Sequence, residues 1–474
     1  MAVTTMVTLF RKIVMVHRVF HWSTVRRAQF RGIATRVCGT CRTISGVIIK
    51  FREAAADGVA GKSAAFTGIS VALALGLSAV TLSAQPAPLH LTIGALIGLT
   101  GPFSAYGPSL EKAVVLAAQA ANQAAKNARV NVTVSLVAAD TQGEPQAALS
   151  AARTLVDRKA SCILGPATTP EAISVLAGIT MQRNITLWPQ ASSTRLRAVK
   201  DNGTIYRTVA ADDLQSKALV MAIESYVGKS RNVAVIFRNE LFGDALSKAF
   251  IRDWQAAGGK VVTTVSFDPQ QENFDTEAAL ALAQSPDAYL VIDYPDTYSK
   301  LGAALVRTGK FDPKKLFVAD ALSFAKVPSS IPAEAIEGAH GVAGGSPKGT
   351  GAYHLFNKLW DAAGVVEIGS YASNTFDAGI LCFLAAVRAR STDPDAIRNN
   401  VRGVTEYGAP QFTIENLAEA VKAAAMGDPI DYVGVSGSFH FAPNGDATAG
   451  LYDVFEYRAG NQVYLKQLNV SGVQ

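Results

Sequence analysis

From Leu89 onward the chain alternates between two periodicities, and this limits its possible folds more than any other feature. "LHLTIGALIGLTG" and "VNVTVSLVAAD" are β-branched apolar runs of strand length. "SLEKAVVLAAQAANQAA" and "EPQAALSAARTLVDRK" carry apolar residues at helical spacing. "ASCILGP", "PEAISVLAGITMQRN" and "ITLWPQ" continue the series as strand, helix and strand. Strands alternating with helices of ten to fifteen residues predict a parallel sheet with right-handed crossovers.

The series then restarts. "DDLQSKALVMAIESYVG", "NVAVIFRN", "FGDALSKAFIRDWQAAGG", "KVVTTVSF", "FDTEAALALAQSP", "AYLVID", "SKLGAALVRTGK" and "KLFVAD" form a second unit of similar size. The boundary falls near Arg207–Asp212. A helical stretch at about 351–425 and a strand-rich end at about 432–468 complete no third unit, so they are expected to return to the first two. The expected architecture is α/β, with two Rossmann-like lobes around parallel central sheets and a multi-strand hinge. Residues 85–211 and 337–435 are assigned to the first lobe, and 212–336 and 436–474 to the second.

Charge enters because the whole chain carries a formal +6. Residues 1–84 hold eleven basic and two acidic side chains, leaving 33 basic and 36 acidic residues and a net charge of −3 for 85–474. The basicity belongs to the leader, so a nucleic-acid partner for the body loses its support. The 17% charged and 49% hydrophobic composition permits a sizeable core. Within the leader, Lys62 precedes an apolar stretch at 69–82 and the small pair Ser83-Ala84. This is the pattern of a secretory signal ending near Gln85, too short for a spanning helix. Cys38 and Cys41 form an isolated C-x-x-C with no second ligand pair, so no metal or other cofactor is assigned. Cys162 and Cys382 read as small buried apolar residues rather than a disulfide.

Ligands of such folds bind at the carboxyl ends of parallel strands. The first lobe offers "LTGPFSAYG" (99–107), "DTQGEP" (140–145), "GPATTP" (165–170) and "PQASST" (189–194). The second offers "RNELFGD" (238–244), "DYPDTY" (293–298) and "DALSF" (320–324). A hydroxyl at a helix start is equally the signature of an ordinary N-cap. The aromatic residues nearby, Phe103, Tyr106, Trp188, Phe242 and Tyr294, are not needed for capping. "GPATTP" offers free backbone N–H groups and hydroxyls without Lys or Arg, which suits a carboxylate better than a phosphate. Enzyme signatures fail. "AGKS" at 60–63 lacks the earlier glycine of a phosphate-binding loop, "GVSGS" at 434–438 lacks elbow spacing, and the body's four histidines are scattered.

In order, "IGALIGLTGPFSAYG", "AADTQGEPQAALSAARTLV", "LGPATTPEAI", "YRTVAADDLQSKAL", "FGDALSKAF" and "FVADALSF" resemble the periplasmic branched-chain amino-acid-binding proteins of ABC importers, the Leu/Ile/Val-binding or type I solute-binding proteins. The resemblance covers about 89–468. It implies a non-enzymatic, monomeric periplasmic protein that closes two lobes over an amino acid or related small carboxylate and delivers it to an inner-membrane ABC permease. A ligand sensor of the same fold, binding an amide, urea or aromatic acid, is the alternative. Carried over to this chain, Thr168, Thr169, Ala191 and Ser192 would bind the α-carboxylate. Tyr106, Phe242 and Tyr294 would be ligand-facing aromatics. Asp320, with Asp293 as its rival, would pair with the ammonium.

Overall fold

The computed structural model describes residues 88–228, 232–364 and 366–471. The signal pattern at 62–84, the C-x-x-C and "AGKS" lie outside them. No helix of the described residues is long and apolar enough to cross a membrane.

Two parallel sheets organise the body. The first contains β1 (Leu89–Ile97), β2 (Val132–Asp140), β3 (Cys162–Leu164) and β4 (Thr186–Trp188) in the order β2-β1-β3-β4. Helices α1 (Gly107–Ala128), α2 (Pro145–Asp157) and α3 (Thr169–Val175) connect them. The second contains β5 (Asn232–Arg238), β6 (Lys260–Phe267), β7 (Ala288–Ile292), β8 (Leu316–Val318) and β9 (His340–Gly344). Its helices are α4 (Asp212–Val227), α5 (Leu241–Ala256), α6 (Asp275–Leu282) and α7 (Pro295–Arg307). Strands β5 and β7 are almost wholly apolar because helices cover both faces of a parallel sheet.

Each sheet has a switch point, where successive connections leave in opposite directions. In the first, β1 sits between β2 and β3; in the second, β5 sits between β6 and β7. The crevices there open at the strands' carboxyl ends. The loops 98–107 and 165–168 flank one crevice, and 238–241 and 293–295 the other.

The return segments refine the expected lobe boundaries. Strand β9 pairs in parallel with β8 and antiparallel with β10 (Ala449–Arg458), which pairs with β11 (Asn461–Ser471). Residues 340–344 therefore lie in the second sheet, not in the first lobe that was to resume at 337. A five-residue buried strand has no alternation to reveal which sheet it joins. Conversely, part of 436–448 remains with the first lobe. There Phe441 packs on Trp188 and Tyr206, with ring centroids 6.1 and 5.2 Å apart.

Helix α8 (Gly351–Ala362) and the almost fully buried α9 (Ala372–Ala389) then complete the first lobe. A helix apolar on all sides belongs inside a core. It lies so close to α1 that a Cβ on Gly379 would stand 2.7 Å from the Ala117 Cβ. This packing brings Cys382 of α9 to Cys162 of β3, and the two form a disulfide with a Cα–Cα distance of 6.6 Å. The reading of these cysteines as unpaired is corrected. Both are buried, as expected, but a separation of 220 residues concealed their proximity.

The bond ties the two halves of a discontinuous lobe, so it restricts the unfolded chain over a long loop. Replacing both cysteines by alanine should lower unfolding stability by about 2–5 kcal/mol. Denaturant melts of the double variant and the oxidised wild type measure this, and equal midpoints would refute it.

Candidate functional site

Three crossover segments, 205–211, 345–350 and 439–448, join the lobes, and one buried arginine ties the first to the third. Arg207 is fully buried. It donates to Asp446 Oδ1 from Nε at 2.8 Å and Nη2 at 2.5 Å, and to the carbonyls of Ser192 and Ser193 at 2.8 and 3.0 Å. Its backbone N–H also donates to the Gly445 carbonyl at 2.8 Å. The first crossover, the third crossover and the loop after β4 are thus held by one side chain.

The "GPATTP" loop is shaped by Gly165, whose positive φ places its backbone where a Cβ would collide with the Leu96 carbonyl. Thr168 caps α3. Its hydroxyl donates to Glu171 Oε2 at 2.6 Å, and its N–H donates to the same oxygen at 2.9 Å. The Glu171 N–H donates back to Thr168 Oγ1 at 3.4 Å, closing a capping box. The carboxylate occupying Thr168 is therefore the protein's own Glu171, whose pKa burial raises. The neighbouring Thr169 is buried, and its hydroxyl makes no hydrogen bond among the described residues. Ala191 and Ser192 are also buried, and Arg207 fixes their loop through its carbonyls.

Opposite them, the aromatics of both lobes interlock. Phe103 meets Tyr294 edge-on with centroids 4.9 Å apart, and Tyr294 stacks on Phe242 at 5.5 Å. Tyr106 stacks on Phe324 at 5.8 Å, and its hydroxyl donates to the Ala321 carbonyl at 2.8 Å. The Arg238 guanidinium covers the Tyr294 ring at 3.9 Å. Ser193 donates across the cleft to the Leu241 carbonyl at 3.3 Å, and Arg195 pairs with Asp244 at 2.6 Å.

The two candidate acids separate by environment. Asp293 is fully buried and turned to its own lobe, where it accepts from the Tyr294 N–H at 2.7 Å, Arg238 Nη1 at 3.3 Å and the Thr297 hydroxyl. Burial pushes its pKa up to about 7, with Arg238 opposing. All three bonds engage Oδ1, while Oδ2 is buried with no partner among the described residues. Asp320 accepts from the Ala321 N–H at 3.0 Å and the Tyr371 hydroxyl at 2.6 Å, and it has no basic partner among the described residues. Burial raises its pKa, while the Tyr371 hydroxyl and the adjacent Gln215 amide oppose the rise. A second acid, Asp212, stands near it. Burial chiefly, and Asp320 in part, push Asp212 to about 7, while Ser192 and Arg207 oppose.

Asp320 also lines a cavity of about 320 Å³ at the hinge, bounded by segments of all three crossovers. None of the other residues assigned to the ligand by sequence lines this cavity. Sequence reasoning missed Gln215, Tyr371 and Tyr452, which do. Gln215 and Tyr452 lie on an ordinary helix and an ordinary strand, with no local motif to mark them. Tyr371 precedes α9 with a positive φ of 68°, which only the backbone reveals.

The description "periplasmic binding protein" belongs to a family model that matches residues 90–461. The chain belongs to that family. Among curated relatives, a Leu/Ile/Val-binding protein from Rhizobium johnstonii is 28% identical over 185 residues, 39% of this chain and 49% of that protein. The chain spans about half the length of the curated relatives it matches. The fold is that of a leucine-binding protein from Thermotoga maritima, with a TM-score of 0.66, 20% identity and coverage of 80% of this chain and 98% of that one. It is also that of an ABC transporter solute-binding protein from R. palustris in complex with 4-hydroxybenzoate. There the TM-score is 0.64 and the identity 14%, covering 81% and 98% of the two chains. The resemblance read from the sequence thus holds at the level of family and of a two-lobed α/β fold.

In this periplasmic binding protein the Arg207 contacts carry a direct prediction. Arg207→Met would leave Asp446 without its buried partner and release the Ala191–Ser193 carbonyls. Breaking one side of such a pair costs about 3–5 kcal/mol. Urea unfolding should register that loss, whereas a change within experimental scatter would show that the pair does not anchor the crossovers.

Proposed function

We propose that this protein is an extracytoplasmic solute-binding protein that captures an α-amino acid or a related small carboxylate between its lobes and delivers it to an inner-membrane ABC permease. The observation that carries this reading is the polarity of the cleft. Thr169, with an unengaged hydroxyl at the start of α3, and the Ser192 loop stand on the first lobe. On the hinge side stand two buried acids, Asp320 and Asp212, and aromatics lie between the two ends. A zwitterion suits this arrangement: neutral donors hold its carboxylate without a competing cation, and a desolvated ammonium needs an unpaired acid. Closure follows if the ligand contacts both lobes at once and so favours the state in which they meet.

Other features agree. The leucine-binding and Leu/Ile/Val-binding relatives support an amino acid. The Cys162–Cys382 bond suits an oxidising compartment outside the cytoplasm, as does the signal pattern at 62–84.

One observation favours a second reading. The six aromatics Phe103, Tyr106, Phe242, Tyr294, Phe324 and Tyr371 would equally line a site for an aromatic acid, and one structural relative is in complex with 4-hydroxybenzoate. A melting-shift screen over amino acids, amides and aromatic acids separates the readings, since a ligand at ~100 times its Kd adds roughly 2.7 kcal/mol. Thr169→Val should weaken any carboxylate ligand by roughly 1.5–3 kcal/mol. Asp320→Asn should weaken an amino acid severely and leave an aromatic acid unchanged or tighter. Undiminished amino-acid binding by Asp320→Asn would overturn the ammonium assignment.

A further inference from the structure

The hinge cavity carries an unmet hydrogen-bonding demand. Gln215 is 1% exposed and lines it; its amide lies beside the Asp320 carboxylate, but neither its nitrogen nor its oxygen has a partner within hydrogen-bond distance among the described residues. Tyr452, 3% exposed, also lines it with a hydroxyl that has no partner among the described residues. Buried polar groups are normally satisfied, and each one left open requires an explanation. Asp320 forms another part of the wall, and no lysine, arginine or histidine lines the cavity. Val209, Val433 and Leu451 supply apolar surface.

This combination selects a chemical class. An open amide donor beside an open amide acceptor is matched by a group with the same two functions on adjacent atoms, and Tyr452 can serve either. A second carboxylate would be repelled by Asp320 with no cation to receive it. A purely apolar group would bury the Gln215 amide and Tyr452 hydroxyl unpaired, which strongly disfavours such a ligand. We propose that the hinge cavity receives a carboxamide or urea group, carried on the side chain of the α-amino acid whose ammonium faces Asp320. The inference rests on the amino-acid reading above and narrows it to ligands with an uncharged polar side chain. Because segments of all three crossovers bound the cavity, filling it also joins the ligand's side chain to the hinge.

The test is titration calorimetry on the full exported protein, freed of bound solute, with L-glutamine, L-glutamate, L-norleucine and acetamide. L-Glutamine should bind at least about tenfold tighter than either other amino acid, as expected when a polar site rejects ligands lacking its partner. Gln215→Leu should collapse the glutamine-to-norleucine ratio. Tyr452→Phe, which retains the ring, should reduce the ratio by a factor of about three to ten, the usual effect of one buried hydrogen bond. Norleucine binding as tightly as glutamine to wild type, or an unchanged ratio in both variants, would overturn the proposal. If no amino acid binds but acetamide does, and Gln215→Leu abolishes that binding, amide recognition stands for a free amide and the amino-acid reading falls. If none of the four probes binds, the cavity is not an amide site.

Discussion

The buried contact between Arg207 and Asp446 is the fixed point of the molecule. A charged pair removed from water is stable only when its remaining hydrogen-bonding groups are also satisfied. Here they are: Arg207 spends further donors on the Ser192 and Ser193 carbonyls. Asp446 accepts from Arg197 at 2.6 Å and from Asn444 at 3.1 Å. Residues 239 apart in sequence thereby become a single joint. The loop after β4, the start of α4 and the third crossover take their positions from it, since the Asp212 N–H also donates to the Ser192 carbonyl at 3.0 Å.

Around that joint the cleft separates groups by chemistry. The strand ends of the first lobe provide hydroxyls and backbone at helix starts. The middle is aromatic, and the acids gather near the hinge. Some polar groups there are engaged internally: Thr168 by Glu171, and one oxygen of Asp293 by Arg238. Those left open include Thr169 on the first lobe and Asp212, Gln215 and Tyr452 toward the hinge, where Asp320 is hydrogen-bonded but has no basic partner among the described residues. Tyr106 to Ala321 and Arg195 to Asp244 are direct contacts between the lobes. A solute must add differential contacts to shift the balance between open and closed states.

The architecture was legible because it is written in periodicity. Long amphipathic helices between apolar strands leave few alternatives, and the strand-end loops follow from the topology. The limits arose where tertiary contacts decide. Nothing local in "HGVAG" identifies the sheet it joins, and no spacing reveals that α9 lies against β3. At the site, sequence located the loops but not the destinations of their side chains. Thr168 and Thr169 are adjacent and chemically identical, yet the position of Glu171 three residues after Thr168 assigns one to the capping box. Asp293 and Asp320 both follow apolar strands, and only the presence of Arg238 beside the first distinguishes them. Gln215 and Tyr452 are functional candidates solely because they are buried without partners, a property that no sequence pattern records.

The proposed function requires that both lobes enclose the solute rather than that it adsorb on one. Small-angle X-ray scattering of the solute-free protein, before and after addition of a ligand identified by the melting screen, measures this directly. Enclosure predicts a smaller radius of gyration on saturation and a smaller response in Thr169→Val at the same ligand concentration. A radius that does not change while calorimetry reports full occupancy would contradict closure and, with it, the assignment of the cleft as the binding site.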